Sequence, residues 1–163
     1  MTAVHVRRAR TADVTAIKGL VDGYAGRVLL AKEIVTLYES VQEFLVAELD
    51  GEVVGCGALH VLWEDLGEIR TVAVHPRAVG RGVGHAIVTA LIEQGRELGL
   101  RVVAEGVETA DQRAALVALG CTAAQGYHFF RPMPADKVVT VLRSLLQGAA
   151  QARILPLRAD GAS

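Results

Sequence analysis

The segment VAVHPRAVGRGVGHAIV, Val72 to Val88, sets Gly80, Gly82 and Gly84 between a strand-like pattern and a helical one. Glycines let a backbone approach a phosphate closely and adopt conformations closed to other residues. The free N–H groups at the start of the following helix favour an anionic pyrophosphate. The dinucleotide fingerprint matches poorly, because it wants an early strand and a later acidic residue. The kinase-type phosphate loop is excluded, because no Lys-Ser or Lys-Thr follows the glycines. A tight structural turn also uses glycine, so the loop alone leaves phosphate binding and simple turning both open. Upstream, Glu68 and Arg70 stand two residues apart in GEIRTVAVH, which projects both side chains from one sheet face.

Those residues need a strand before the loop and a helix after it. GEIRTVAVH supplies the strand and ends at Pro76, and a helical pattern runs from Val83 to Leu98, with Gly99 as its stop. Ahead of them VHVRRART reads as a first strand. Thr11 caps a helix with Val14, Ile17, Leu20, Val21 and Tyr24 on one face. KEIVTLYESVQEF is a second helical stretch, with Ile34, Leu37, Tyr38 and Val41 in helical spacing. FLVAEL, the Asp50-Gly51 pair and EVVGCGALHVLW form a hairpin. After Gly99 come a strand RVVAEGV, a helix TADQRAALVALG, a strand AAQGYHF and a last helix from about Pro134 to Gln147.

The 163 residues suffice for one domain with a sizeable core, and 52% hydrophobic residues mark a globular chain. Seventeen basic against eighteen acidic residues leave no electrostatic footprint for nucleic acid or an anionic membrane. The start MTAVHVRRAR lacks the apolar stretch of a signal peptide, and no run is long enough to span a bilayer. Cys56 and Cys121 form no metal-ligand spacing and suit a reducing, cytoplasmic setting.

With Arg77, Gly80 and Gly82 just after a strand, the loop resembles the acetyl-CoA loop of the GNAT acetyltransferases. The order strand, two helices, hairpin, fourth strand, loop and long helix is similar to that superfamily as well. LYESVQEFLVAELDGEVVGCGALHVLWEDLGEIRTVAVHP narrows the resemblance to the short bacterial N-acetylglutamate synthases of arginine biosynthesis, over about residues 4–100. The fold expected is α/β, a mixed central sheet flanked by helices.

The resemblance implies acetyl-CoA as cosubstrate, no metal, and a small-molecule amine as acceptor, with glutamate the leading candidate. It makes Glu68 the base that strips a proton from the ammonium, directly or through a water. It assigns Arg77, Gly80, Arg81, Gly82, Val83 and Gly84 to the cofactor, and the backbone of Val72 and Val74 to its pantetheine arm. A nearby N–H would stabilise the oxyanion. Arg70 can hold a substrate carboxylate in bidentate fashion, and Lys32 is a second candidate for that role. The plainer use of Glu68 and Arg70 is a half-exposed surface pair, and that of Lys32 a solvated lysine. Cys56, between two glycines, reads as a small buried residue, and His60 and His75 as structural or exposed. A homodimer is the expectation from the family.

Near residue 100 the pattern changes. AEGVET, LGC, QGY and RPMP, within about residues 95–146, resemble the last strand–helix units of EAL-type cyclic di-GMP phosphodiesterases. In that family the glutamate matching Glu105 belongs to the active site. Those enzymes are eight-stranded barrels of about 250 residues, with site residues from several strand ends and metals held by multiple oxygen ligands. This chain has only the end of such a barrel and no Glu-Ala-Leu motif, so hydrolysis is not expected and Glu105 is read as incidental. The segment 100–147 is expected to complete a single domain, 1–147, with atypical C-terminal strand–helix units and a disordered tail, 148–163. Barrel strands run parallel, whereas the corresponding last GNAT strands run antiparallel, so the two resemblances disagree on how the sheet ends. Many GNAT enzymes carry a tyrosine four residues before the helix-ending glycine, as acid for the departing thiolate. If that glycine is Gly120 the position here is Leu116, leaving Tyr127 as the substitute. The alternative to an enzyme is a coenzyme A-binding or interaction module without catalysis.

Overall fold

A computed structural model describes residues 3–24 and 32–149. A six-stranded mixed sheet runs in the order β1 to β6: His5–Arg8, Phe44–Leu49, Glu52–Trp63, Leu66–Val74, Arg101–Ala104 and Ala123–Ala124. The helices are α1 Val14–Asp22, α2 Ile34–Glu39, α3 Val83–Glu97, α4 Ala110–Ala118 and α5 Ala135–Ala149. Strands β1 to β4 pair antiparallel, and β4, β5 and β6 pair parallel.

The β2–β3 hairpin turns at Asp50 and Gly51, with φ of 55° and 80°, as a two-residue turn that follows strand twist requires. Strand β2 is buried on both faces. Phe44 and Val46 join Val14, Ile17, Leu20 and Val21 of α1 on one side. Leu45, Ala47 and Leu49 join Val83, Ile87 and Leu91 of α3 on the other. That explains why FLVAEL is a continuous apolar run and not an alternating one. On β1, Arg7 lies 2.7 Å from Asp13 and also pairs with Glu48 of β2, and its guanidinium holds both carboxyls below their usual range.

Several expectations are corrected. Thr11 opens a 3-10 turn, Thr11–Asp13, and the Asp13 carboxylate accepts from the Arg10 N–H at 2.7 Å before α1 begins. Tyr24 lies past the end of α1, where its hydroxyl donates to the Val74 carbonyl at 2.6 Å. In α2 only Leu37 is buried, while Ile34 and Tyr38 are exposed. AAQGYHF is a strand only at Ala123–Ala124, because Gly126 turns the chain and its carbonyl accepts from Phe129 and Phe130. The conflict over the sheet's end resolves toward the barrel pattern: β5 and β6 are parallel, and α4 between them packs into the same core cluster as α3. Of the expected tail, Gly148 and Ala149 close α5, and residues 150–163 lie outside the described residues. No helix among the described residues is long and apolar enough to cross a membrane.

Candidate active site

The site forms where β4 and β5 part. Their pairing covers Leu66–Ile69 against Arg101–Ala104, with one further bond from the Glu105 N–H to the Ile69 carbonyl. Beyond it β5 turns toward the C-terminal segment: Gln125 donates to the Ala104 carbonyl, and Val107 donates to that of Gln125. Strand β4 continues from Arg70 to Val74 without a β5 partner. Facing β3, it carries two residues, Thr71 and Val72, against the single Gly57, and Thr71 has φ of 57°. A bulge of this kind re-aims a strand's backbone and side chains.

The parting leaves a cleft of about 580 Å³ between β4, the start of α3, the end of β5 and α4. Glu68, Arg70, Thr71 and Val72 line one wall, with Lys32 among the lining residues. Gly84, His85 and Val88 line it from α3, and Glu105, Gln112 and Leu116 from the C-terminal half. Glu68, Arg70, Lys32, Val72 and Gly84 are therefore gathered on one cavity. Glu68 Oε1 accepts from Gln125 Nε2 at 3.2 Å. Arg70 Nη2 donates to Glu43 at 3.2 Å, and the other oxygen of Glu43 lies 2.9 Å from His60 Nδ1. Part of the Arg70 fork is thus already engaged, which fixes the guanidinium beside the cleft.

The remaining candidates sit around the glycine loop. Gly80 and Gly82 have φ of 78° and 81°, and space is open where a Cβ would stand at either. Gly82 is the residue from which α3 springs. Among the described residues the N–H groups of Gly80, Gly82, Val83 and Gly84 find no protein acceptor. This row of unpaired donors without covering side chains fits an anionic pyrophosphate. Val83 offers only its backbone, since its side chain is buried. Arg81 is exposed beside the loop, whereas the Arg77 guanidinium pairs with Glu52. Of the two valines expected to meet the pantetheine arm, Val72 lines the cleft, while the Val74 carbonyl is held by Tyr24.

Sequence reasoning read Glu105 as incidental and passed over His85 and Gln125. Glu105 lines the cleft, and Gln125 touches its central carboxylate. The signal for Glu105 was its place at the end of a strand parallel to β4. Nothing in the sequence foretold the Gln125 contact. Tyr127 does not line this cleft; it lies on a neighbouring groove, its ring 5.6 Å from the Arg131 guanidinium. Leu116 lines the cleft as an apolar residue, so among the described lining residues no tyrosine is present. Among the described residues no group of three potential ligands could hold a metal ion.

A six-stranded sheet splayed beside a glycine loop defines an acyltransferase-type architecture, and comparison with known proteins agrees. The chain belongs to the acetyltransferase (GNAT) family, which matches over residues 24–120. It is 67% identical over 101 residues to an amino-acid acetyltransferase of Mycobacterium tuberculosis, covering 60% of this chain and 58% of that one. A Mycobacterium tuberculosis protein solved in complex with CoA and NLQ superposes with a TM-score of 0.66 at 51% identity, covering 90% of this chain and 86% of that one. The N-acetylglutamate synthase of Neisseria gonorrhoeae, solved with coenzyme A and N-acetyl-glutamate, gives 0.64 at 29% identity, over 70% of this chain and 28% of that one. A separate likeness, 50% identity over 54 residues, is to a bifunctional diguanylate cyclase/cyclic di-GMP phosphodiesterase of Pseudomonas aeruginosa, and covers 33% of this chain and 8% of that one. The chain spans 58% and 54% of the length of two curated acetyltransferases it matches, and 23% of two amino-acid acetyltransferases of Neisseria meningitidis.

Proposed function

We propose that the chain transfers an acetyl group from acetyl-CoA to the amine of a small amino acid, with glutamate as the leading acceptor, as in arginine biosynthesis. The observation that carries this is the gathering of Glu68, Arg70 and Lys32 on one cleft that opens beside the unpaired N–H groups of the glycine loop. The loop would hold the pyrophosphate, with Arg81 adding positive charge, and Val72 would meet the pantetheine arm. Bound there, acetyl-CoA supplies an activated thioester. Glu68 accepts the proton that the acceptor's ammonium must lose, which frees the nitrogen lone pair for attack. Arg70, braced by Glu43, faces the acceptor's carboxylate, and Lys32 adds a second positive charge. The resemblance of the front half to N-acetylglutamate synthases supports the glutamate assignment. In this reading the EAL-like segment 100–147 completes the sheet and the acceptor wall, and hydrolyses no cyclic dinucleotide.

The test is thiol release from acetyl-CoA with glutamate and a panel of other amino acids. Glutamate-dependent release is expected, and Arg70→Ala should raise the KM for glutamate about ten-fold or more while leaving the KM for acetyl-CoA unchanged. Equal rises in both constants would remove Arg70 from the acceptor site. One observation favours a second reading, a coenzyme A-binding module without turnover: among the described residues that line the cleft there is no tyrosine to serve as acid for the departing thiolate. Acetyl-CoA binding with no release on any amine would select it.

A further inference from the structure

We propose that Gln125, contributed by the C-terminal segment, is a positioning residue for Glu68. The inference rests on Glu68 serving as the base and adds what holds that base in place. Gln125 is anchored on both sides of its peptide. Its N–H donates to the Ala104 carbonyl at 2.9 Å, and its carbonyl accepts from the Val107 N–H at 3.0 Å. These bonds hold its backbone in place just past the last β5–β6 pair, Ala104 with Ala124. From this fixed backbone the carboxamide reaches across β5 to β4, where Nε2 stands 3.2 Å from Glu68 Oε1. Only the nitrogen end can face a carboxylate, since the amide oxygen would set two acceptors against each other.

Among the described residues no other group donates to Glu68, and Oε2 has no protein partner. A carboxylate that borders an open cleft is free to change rotamer. One hydrogen bond from a neutral side chain, present at every working pH, selects an orientation and leaves the second oxygen for the acceptor's ammonium. Gln125 is exposed, and its side chain makes no other hydrogen bond among the described residues, so the contact has little to do for the fold. A segment that resembles part of a different enzyme would then supply a working part of this site as well as the edge of its sheet.

The experiment is a double-mutant cycle on the full chain, with acetyl-CoA and glutamate, using Glu68→Gln, Gln125→Ala and the combined variant. Gln125→Ala should lower kcat on the order of ten-fold with the KM for acetyl-CoA unchanged. In the Glu68→Gln background the same change should have no further effect, since nothing is left to orient. Gln125→Glu, equal in shape but bearing a second carboxylate, should lose at least as much as Gln125→Ala. Equal losses from Gln125→Ala in both backgrounds would assign Gln125 to general structure and overturn the proposal, as would no loss in the wild type. An unchanged kcat in Glu68→Gln alone would instead remove Glu68 as base, and the positioning role with it.

Discussion

Cys56 shows how much one side chain's surroundings decide. It lies between Gly55 and Gly57 in β3, fully buried, and burial pushes its thiol up from 9.0 to about 12. The thiolate is the nucleophile, so this residue is chemically silent despite its closeness to the β4 bulge. The shift also sets a pH dependence. Above pH 9.0 the unfolded chain releases this proton and the folded chain retains it, so the folded state loses stability as pH rises from 9.0 toward about 12. The slope from this thiol approaches about 1.4 kcal/mol per pH unit. Urea melts at pH 8 to 10.5 should show a shallower alkaline decline for Cys56→Ala than for the wild type, whatever the variant's starting stability. Identical slopes would mean that the thiol is solvated in the folded chain. Glu68 differs in kind: its carboxylate borders the open cleft, and what matters for it is orientation.

At the scale of elements, α3 lies close against β3 because Gly55 and Gly57 offer no side chains to it. A Cβ at Gly57 would stand 2.7 Å from Ile87 Cγ2 and 3.0 Å from Leu91 Cδ1. Gly57→Val should therefore destabilise the chain by about 1–3 kcal/mol in chemical denaturation, because the added methyls must push α3 off the sheet. A stability within experimental error of wild type would show that α3 can slide without cost. The elements legible in the sequence were those with a strong local pattern: the Asp50-Gly51 hairpin, the β4 strand and α3 ending at Gly99. Those that were misread depend on distant partners. Tyr24 fits the apolar period of α1 but is drawn out to the Val74 carbonyl. AAQGYHF has the composition of a strand, yet Gly126 begins a turn there. The glycine loop and Glu68 were visible as motif and spacing. Glu105 was visible as a motif residue but read as incidental, although it lines the cleft where β5 parts from β4, and the contact of Gln125 with Glu68 was not visible, because it spans 57 residues of sequence.

The whole molecule joins two resemblances in one sheet. The antiparallel part, β1 to β4, carries the glycine loop and the Glu68–Arg70 wall. The parallel part, β4 to β6, closes the cleft with Glu105, Gln112 and Leu116. Membership of the acetyltransferase family fixes the frame, and the wall that the C-terminal segment builds lines the same cleft as Arg70 and Lys32. Every step of the proposed reaction depends first on that frame holding its cosubstrate. The measurement that tests this most directly is a calorimetric titration of the folded chain with acetyl-CoA, beside Gly82→Glu shown by circular dichroism to be folded. Saturable binding near one site per chain, lost when a carboxylate is set into the loop, is the predicted result. A folded wild type that gives no binding heat at any of several temperatures, or a Gly82→Glu variant that binds as tightly, would contradict the account.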